Sequence, residues 1–339
     1  MRYSGKPQKK KELASIIIVT YNHREYLDAC LKSVLKQDYP HEIILVDNCS
    51  QDGTVSFVRE HFPGVTVIES PDNRGYGAGN NLGVKYARGE YVVILNPDTM
   101  VEEEWLSSLL SPLKRQPKVI TTPKILLYDG LAINTCGNIN TITGLTFTRG
   151  LGADPSSFPD VEEVSGISGA CFAMRRDDYL DLGGFDENFF LYNEDAELSW
   201  RAHLHDYRVL YVPTSVIRHD YQLSVSPEKI YFLEKGRYMI LKKYFSRRDI
   251  LRFSPSLLVA ELLTLGYALR FGRKGLALKF KAIREGLGAT VERVAGGEAR
   301  IFPHLCMAIP EDQLTFNEFE RFGKVISNKI LKWNSRVIS

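Results

Sequence analysis

Hydrophobic positions in the first hundred residues follow two alternating rhythms. SIIIVT (15–20), EIILVD (42–47), VTVIES (65–70) and YVVILN (91–96) are short runs rich in β-branched and aliphatic side chains, the pattern of strands covered on both faces. Between them, Leu27, Cys30, Leu31, Val34 and Leu35 recur at helical spacing in a segment that Pro40 closes. TVSFVREHF (54–62) and NLGVKYA (81–87) predict two further helices. Strand and helix alternating at such short intervals imply βαβ units and a mostly parallel sheet. The strands end in polar residues: Thr20-Tyr21-Asn22, Asp47-Asn48, Glu69-Ser70 and Asn96-Pro97-Asp98. Ligands of such sheets bind at the carboxyl ends of the strands, so these residues predict a binding edge.

From about Pro117 the pattern loosens. TTPKILLYDG and INTCGNINTITGLTFTRG predict short strands and turns, Gly144 to Pro159 a mobile loop, and RVLYVP a strand that turns into VIRHD. Beyond Ser226 the chain becomes helical and basic. Four segments result: a basic arm (1–13), a first α/β half (14–116), a second half (117–225) and a helical C-terminal region (226–339).

Charge changes the picture more than composition does. The net charge is only +2, but 15 Lys/Arg stand against 5 Asp/Glu from Lys229 to Arg293. A block this basic calls for an anionic partner or surface. No stacking-aromatic or recognition motif points to nucleic acid. LLVAELLTLGYALRF is too short and too charged to cross a bilayer. The region either lies on one, with Arg270, Arg273, Lys274, Lys279 and Lys281 facing anionic lipid, or packs its apolar face on the catalytic core or a second copy with its charges solvated. The five cysteines form no CxxC pair and leave one over, which predicts idle thiols in a reducing compartment. The N-terminus carries no apolar signal core, which predicts a cytoplasmic location.

Candidate chemistry gathers at the strand ends and at one helix start. FFLYNEDAELSWR puts Glu194, Asp195 and Glu197 in a first helical turn, where carboxylates serve either as helix-dipole partners or as a positioned base. Asp47, Asn48 and Asp52 in VDNCSQDG either meet the imide N–H of uracil or thymine or form an Asx turn and helix cap. DNRGYGAGNNLG fails the dinucleotide fingerprint because Asn80 stands where the third glycine belongs. As a loop opening a helix it still offers N–H groups to phosphate, with Asn73, Asn80 and Asn81 as polar contacts. Asp98 either ligates Mg²⁺ or Mn²⁺ or ends a strand. Gly169 and Ala170 either admit a ligand to the backbone or mark a tight turn. Phe185, Phe189 and Phe190 of GGFDENFF are expected in the core.

In order, VTYN, VDNCSQDG, NRGYGAGNN, LNPD, SGACFAMRR, GGFDENFF and NEDAELSWR resemble the inverting glycosyltransferases of family 2, over roughly Ala14 to Tyr221. The resemblance implies a GT-A fold: a Rossmann-like, mostly parallel sheet flanked by helices, here with a helical C-terminal extension. It implies donor contacts from Thr20, Tyr21, Asn22, Asp47, Asn48 and Asp52, and from Asn73, Gly75, Asn80 and Asn81 around the diphosphate and sugar. Asn96 and Asp98 fall at the family's DxD metal motif, with Asn96 replacing its first aspartate. His219 stands where the family supplies a later metal-binding histidine, and Asp195 is the aspartate of its catalytic ED pair. Glu194, Gly169 and Ala170 then face the acceptor.

The expected function is transfer of a sugar from a nucleoside-diphosphate donor to a glycan or lipid-linked saccharide, with Mn²⁺ or Mg²⁺, at the inner face of the cell membrane. Within the family, LNPD and FFLYNEDAEL are most similar to bacterial rhamnosyltransferases of envelope polysaccharide synthesis, which implies dTDP-rhamnose. Two alternatives stand beside it. A nucleotidyltransferase would need a basic, glycine-rich loop after the first strand, where VTYNHREY stands. A non-catalytic carbohydrate-binding protein on a degenerate GT-A fold would suit the loss of the first DxD aspartate.

Overall fold

A computed structural model describes residues 10–221, 226–294, 297–310 and 318–336. Most of the basic arm therefore lies outside the described residues. In chain order, β1 (Lys10–Thr20), α1 (Arg24–Leu35), β2 (His41–Asp47), α2 (Thr54–His61), β3 (Thr66–Glu69), α3 (Tyr76–Tyr86) and β4 (Gly89–Leu95) form the predicted βαβ series. There follow β5 (Thr99–Val101), α4 (Trp105–Arg115), β6 (Val119–Leu127), β7 (Ile133–Thr135), β8 (Asn138–Asn140) and β9 (Thr146–Thr148). Then come β10 (Glu162–Glu163), β11 (Cys171–Arg175), α5 (Arg176–Asp181), α6 (Glu194–Leu204) and β12 (Arg208–His219). The C-terminal helices are α7 (Pro227–Tyr244), α8 (Arg247–Arg252), α9 (Ser254–Leu269), α10 (Gly272–Gly288), α11 (Glu298–Ile301) and α12 (Glu318–Arg336).

The chain divides into two units. The first runs to Gly137 and resumes at Gly152–Tyr221; the second joins Asn138–Leu151 to the residues after Tyr221. Asn138–Leu151 thus groups with the C-terminal region rather than with the 117–225 half.

In the first unit the sheet order is β3-β2-β1-β4-β11-β6-β12-β10. β1 pairs parallel with β2 and β4, β2 with β3, and β6 with β12; β11 runs antiparallel between β4 and β6. Ile16 and Ile18 of β1 enter one core cluster and Ile17 and Val19 the other, so apolar residues at successive positions serve two faces. The resulting fold is the GT-A class.

Several elements depart from their predicted form. α1 stops at Leu35, well before Pro40. The glycine-rich stretch is no loop: α3 begins at Tyr76 and contains Gly77, Gly79 and Gly83. A Cβ on Gly79 would lie 2.7 Å from Val19 Cγ1, and one on Gly83 would collide with Ile17 Cγ2. These glycines let the helix lie close on the sheet. Part of the Gly144–Pro159 segment is strand β9. RVLYVP does not turn before VIRHD: β12 continues, through an irregularity between Val212 and Val216, to His219.

In the second unit β8 and β9 form a hairpin, and Cys306 N–H donates to Asn140 O. Glu234 and Arg237 of α7, Glu261 of α9 and Lys279 of α10 form an ion cluster. Lys279 Nζ pairs with Glu234 and lies 3.2 Å from Glu261, while Arg237 pairs with both carboxylates. Lys279, expected on the basic outer surface, is instead buried. No helix among the described residues is long and apolar enough to cross a membrane.

Candidate active site

Strand pairing assembles one corner of the site. β5 follows the NPD turn and pairs antiparallel with the end of β12, setting Thr99 opposite His219. This brings His219 Nε2 to 3.4 Å from Asp98 Oδ1, and Asp220 N–H donates to Asp98 O at 3.0 Å. Among the described residues Asp98 Oδ1 and Asn96 Oδ1 are both buried without a hydrogen-bond partner, the 3.4 Å approach of His219 being longer than a formed hydrogen bond. Burial works against ionisation of Asp98, but the His219 ring outweighs it and leaves the carboxyl below its ordinary range. His219 Nδ1 lies 3.2 Å from Asn134 Oδ1, a contact that fixes the ring with Nε2 toward Asp98.

These atoms suit a hard divalent cation: an imidazole and two orphaned acceptor oxygens, one from the Asp98 carboxylate and one from the Asn96 amide, that a cation would satisfy. Among the described residues no three or more His, Cys, Asp or Glu converge. The residues therefore fit a cation that takes most of its ligands from a bound diphosphate and water.

The turn at Gly169–Ala170 joins this corner to the acidic helix. Ala170 O accepts from Asn96 N–H at 2.9 Å, and Gly169 N–H donates to Asp195 Oδ2 at 2.9 Å. Tyr76 OH donates to Gly169 O at 2.5 Å from the start of α3. A Cβ on Gly169 would stand 3.3 Å from Asp195 Oδ2, so the glycine permits this approach. Tyr192 and Asn193 both have positive φ, an uncommon backbone state for non-glycine residues, and turn the chain sharply into α6. Asp195 is half-buried, and Ala196 N–H donates to its Oδ1 at 2.8 Å. Glu194 is buried, with Oε2 unpartnered among the described residues; burial, then the charge of Asp195, push its carboxyl up to about 8. Glu197 belongs to the fold: it is buried against Arg201, whose guanidinium also donates to Gly184 O.

The other strand ends meet in a second corner. Asn22 N–H donates to Ser50 Oγ and Gln51 N–H to Asn22 Oδ1, tying the β1 and β2 loops together. Among the described residues Thr20 Oγ1 and Asp47 Oδ1 are buried without partners, while Asp47 Oδ2 accepts from Ser50 N–H at 3.0 Å. Tyr21 stands exposed at the end of β1. Asn48 Nδ2 donates to Gly75 O at 2.9 Å, and Asn73 Oδ1 accepts from Gly75 N–H at 3.0 Å. Gly75 has φ +88°, and a Cβ there would collide with the Phe190 carbonyl, so no side chain fits.

Three expected donor contacts are occupied or hidden. Asp52 accepts from Arg24 N–H and from both Thr54 N–H and Oγ–H, so it ties the starts of α1 and α2 together. Asn81 spends its amide on Phe185, Glu187 and Tyr179, and Asn80 is fully buried in α3. Phe185 and Phe189 are core residues as expected, but Phe190 is 39% exposed, and its carbonyl accepts from Tyr76 N–H.

Asn134, Tyr76 and Tyr26 were missed from sequence. Tyr26 OH donates to Asp220 Oδ2 at 2.7 Å, which with burial raises the phenol to about 12. Asn134 and Tyr26 lie in no motif, and Tyr76, although inside NRGYGAGNN, has no role that the motif assigns; only the pairing of distant elements brings the three to the site.

A Rossmann-like sheet with an NPD corner, a later histidine and an acidic helix start defines a glycosyltransferase of the GT-A class. Residues 15–183 match the sequence profile described as Glycosyl transferase family 2, and the chain belongs to that family. It is 27% identical, over 237 residues, to the N-acetylglucosaminyl-diphospho-decaprenol L-rhamnosyltransferase of Mycobacterium tuberculosis, a match covering 61% of this chain and 76% of that one. In fold it is similar to Staphylococcus aureus TarS 1–349 in complex with UDP-GlcNAc (18% identity, TM-score 0.56, 95% of this chain and 91% of that one). It is also similar to GalNAc-T7 with UDP, GalNAc and Mn²⁺ (18% identity, TM-score 0.59, 85% of this chain), of which it spans 56%.

Proposed function

We propose that the protein is an inverting glycosyltransferase that moves a sugar from a nucleoside-diphosphate donor to a saccharide or lipid-linked acceptor of cell-envelope glycan. The observation that carries this reading is the Gly169–Ala170 turn. Through adjacent residues it holds an orphan-oxygen corner suited to a diphosphate-bound cation and a half-buried carboxylate at a helix start.

Asp195, oriented by Gly169 and Ala196 N–H groups, takes the proton of the acceptor hydroxyl. The acceptor oxygen forms its bond to the anomeric carbon from the face opposite the diphosphate. The bond from that carbon to the diphosphate oxygen breaks, and one displacement inverts the centre. Asp98 and His219 would hold the cation, which when bound supplies positive charge to the departing diphosphate. Asn134 sets the ring of His219. Thr20, Tyr21, Asn22 and Asp47 receive the nucleoside, and Glu194 binds acceptor hydroxyls. The mycobacterial relative makes an activated rhamnose the finer proposal for the donor, and a lipid-linked acceptor places the enzyme peripherally at the inner membrane face.

Asp195→Asn keeps the shape and removes the proton acceptor, so transfer falls by about 10²-fold or more while donor affinity is unchanged. Near-normal turnover would sink the assignment, and retention in the anomeric NMR signal of the product would sink inversion. Separately, Asp98→Ala or His219→Ala weakens donor binding in Mn²⁺ and leaves binding in EDTA as it was. Calorimetry that finds equal losses in both conditions removes the cation from these residues.

A further inference from the structure

We infer that the outward faces of α8, α9 and α10 form a docking surface for an anionic lipid bilayer. Leu251 of α8, Leu258, Leu262 and Leu269 of α9, and Phe280 and Leu287 of α10 are each between 52% and 75% exposed. In α9 the leucines recur at i, i+4 and i+11, on one side of the helix. In α10, Phe280 and Leu287 share a side with Arg273 and Arg284, and Lys274 and Lys281 flank it, all exposed. Isolated exposed leucines need no explanation, but a series of them along successive helices, interleaved with cations, does.

Charge selects the occupant. The acidic groups of these helices are already engaged: Asp249 caps α8, Glu261 pairs with Arg237 and Lys279, and Glu285 accepts from Tyr231 OH and lies 3.9 Å from Lys281, while Lys274 pairs with Glu228 of α7. The outward faces are left basic and apolar. Two copies meeting through them would oppose like charges, whereas an anionic headgroup layer over acyl chains matches both features. The side chains concerned are not needed inside, because the inward sides of α9 and α10 carry Glu261 and the buried Lys279.

The inference deepens the proposal of a lipid-linked acceptor, but its test needs no catalysis. The full chain is floated with vesicles of equal parts phosphatidylcholine and phosphatidylglycerol, and with phosphatidylcholine alone. It is expected to float with the anionic vesicles only and to be released by high salt. Arg273→Gln, Lys281→Gln and Arg284→Gln combined weaken binding on the order of a hundredfold, since each cation near the surface contributes about a factor of five. Leu258→Ser, Leu262→Ser and Phe280→Ser combined also weaken it, and both variants keep the wild-type melting temperature. No flotation at low salt, or flotation that neither variant reduces, overturns the inference. So does a dimer in analytical ultracentrifugation that the leucine variant abolishes, which assigns the face to a second copy. Transfer to a water-soluble acceptor is read in parallel. Its loss with flotation intact strikes the enzymatic reading alone, and its survival without flotation strikes the docking surface alone.

Discussion

Glu194 and Asp195 are neighbours in sequence with opposite surroundings. Asp195 reaches two backbone N–H groups, while Glu194 is buried, with Oε2 unpartnered among the described residues. The Glu194 carboxyl is raised from 4.5 to about 8, so between those values the folded protein holds a proton that the unfolded chain has released. Stability then falls as pH rises through that window. Glu194→Gln, uncharged throughout, removes this decline. Its melting temperature is expected to hold level from pH about 5 to about 8 while that of the wild type drops. Parallel curves would mean that Glu194 has a partner that keeps it charged. The ED motif marks both residues in sequence, but not which of them is solvated. That depends on Gly169, whose N–H arrives from a separate element.

At the scale of elements, what was legible is what rests on local pattern. The apolar runs of β1, β2 and β4 could be read directly, because a strand buried on both faces has no polar position to confuse its period. The start of α3 could not. Gly77 and Gly79 read as loop residues by propensity, and only the nearness of Phe185 and Val19 explains why glycine stands inside a helix there. His219 was placed after a turn because Pro213 and Thr214 look like breakers, yet β12 absorbs them in an irregularity. Lys279 read as surface charge and proved to be an interhelical pin. Lys279→Met leaves Glu234 and Glu261 to share Arg237, and is expected to cost about 3 kcal/mol in urea unfolding. Adding Glu261→Gln restores a balanced Glu234–Arg237 pair and recovers most of that loss. A double variant no better than the single one would show that packing of the Lys279 stem, not charge balance, is what α10 supplies.

Across the whole molecule, the family motifs were legible and the division of the chain was only partly so. Seven ordered segments carried the resemblance because most of their residues sit at strand ends, with GGFDENFF in the loop before α6 and NEDAELSWR at its start, and the fold brings them together however far apart they lie in sequence. The hairpin of β8 and β9 carries no such mark. Its Gly, Asn and Thr residues suit any loop, and its grouping with the C-terminal helices rests on backbone hydrogen bonds to Cys306. The basic block was visible in composition, but composition does not separate the Arg237 and Lys279 charges that are buried from those of Arg273 and Lys281 outside.

The turn at Gly169–Ala170 has a consequence for how such an enzyme can change. On the proposed mechanism, its two successive residues hold the leaving-group corner on one side and the base on the other. The distance between departing and entering oxygens is thereby a property of the sheet, held by a short span of main chain that side-chain substitution barely alters. The loops after β1 and β2 and the segment before α6 are free of that restraint. New sugars and new acceptors can therefore be explored through the loops, while the handedness of the bond formed is inherited unchanged.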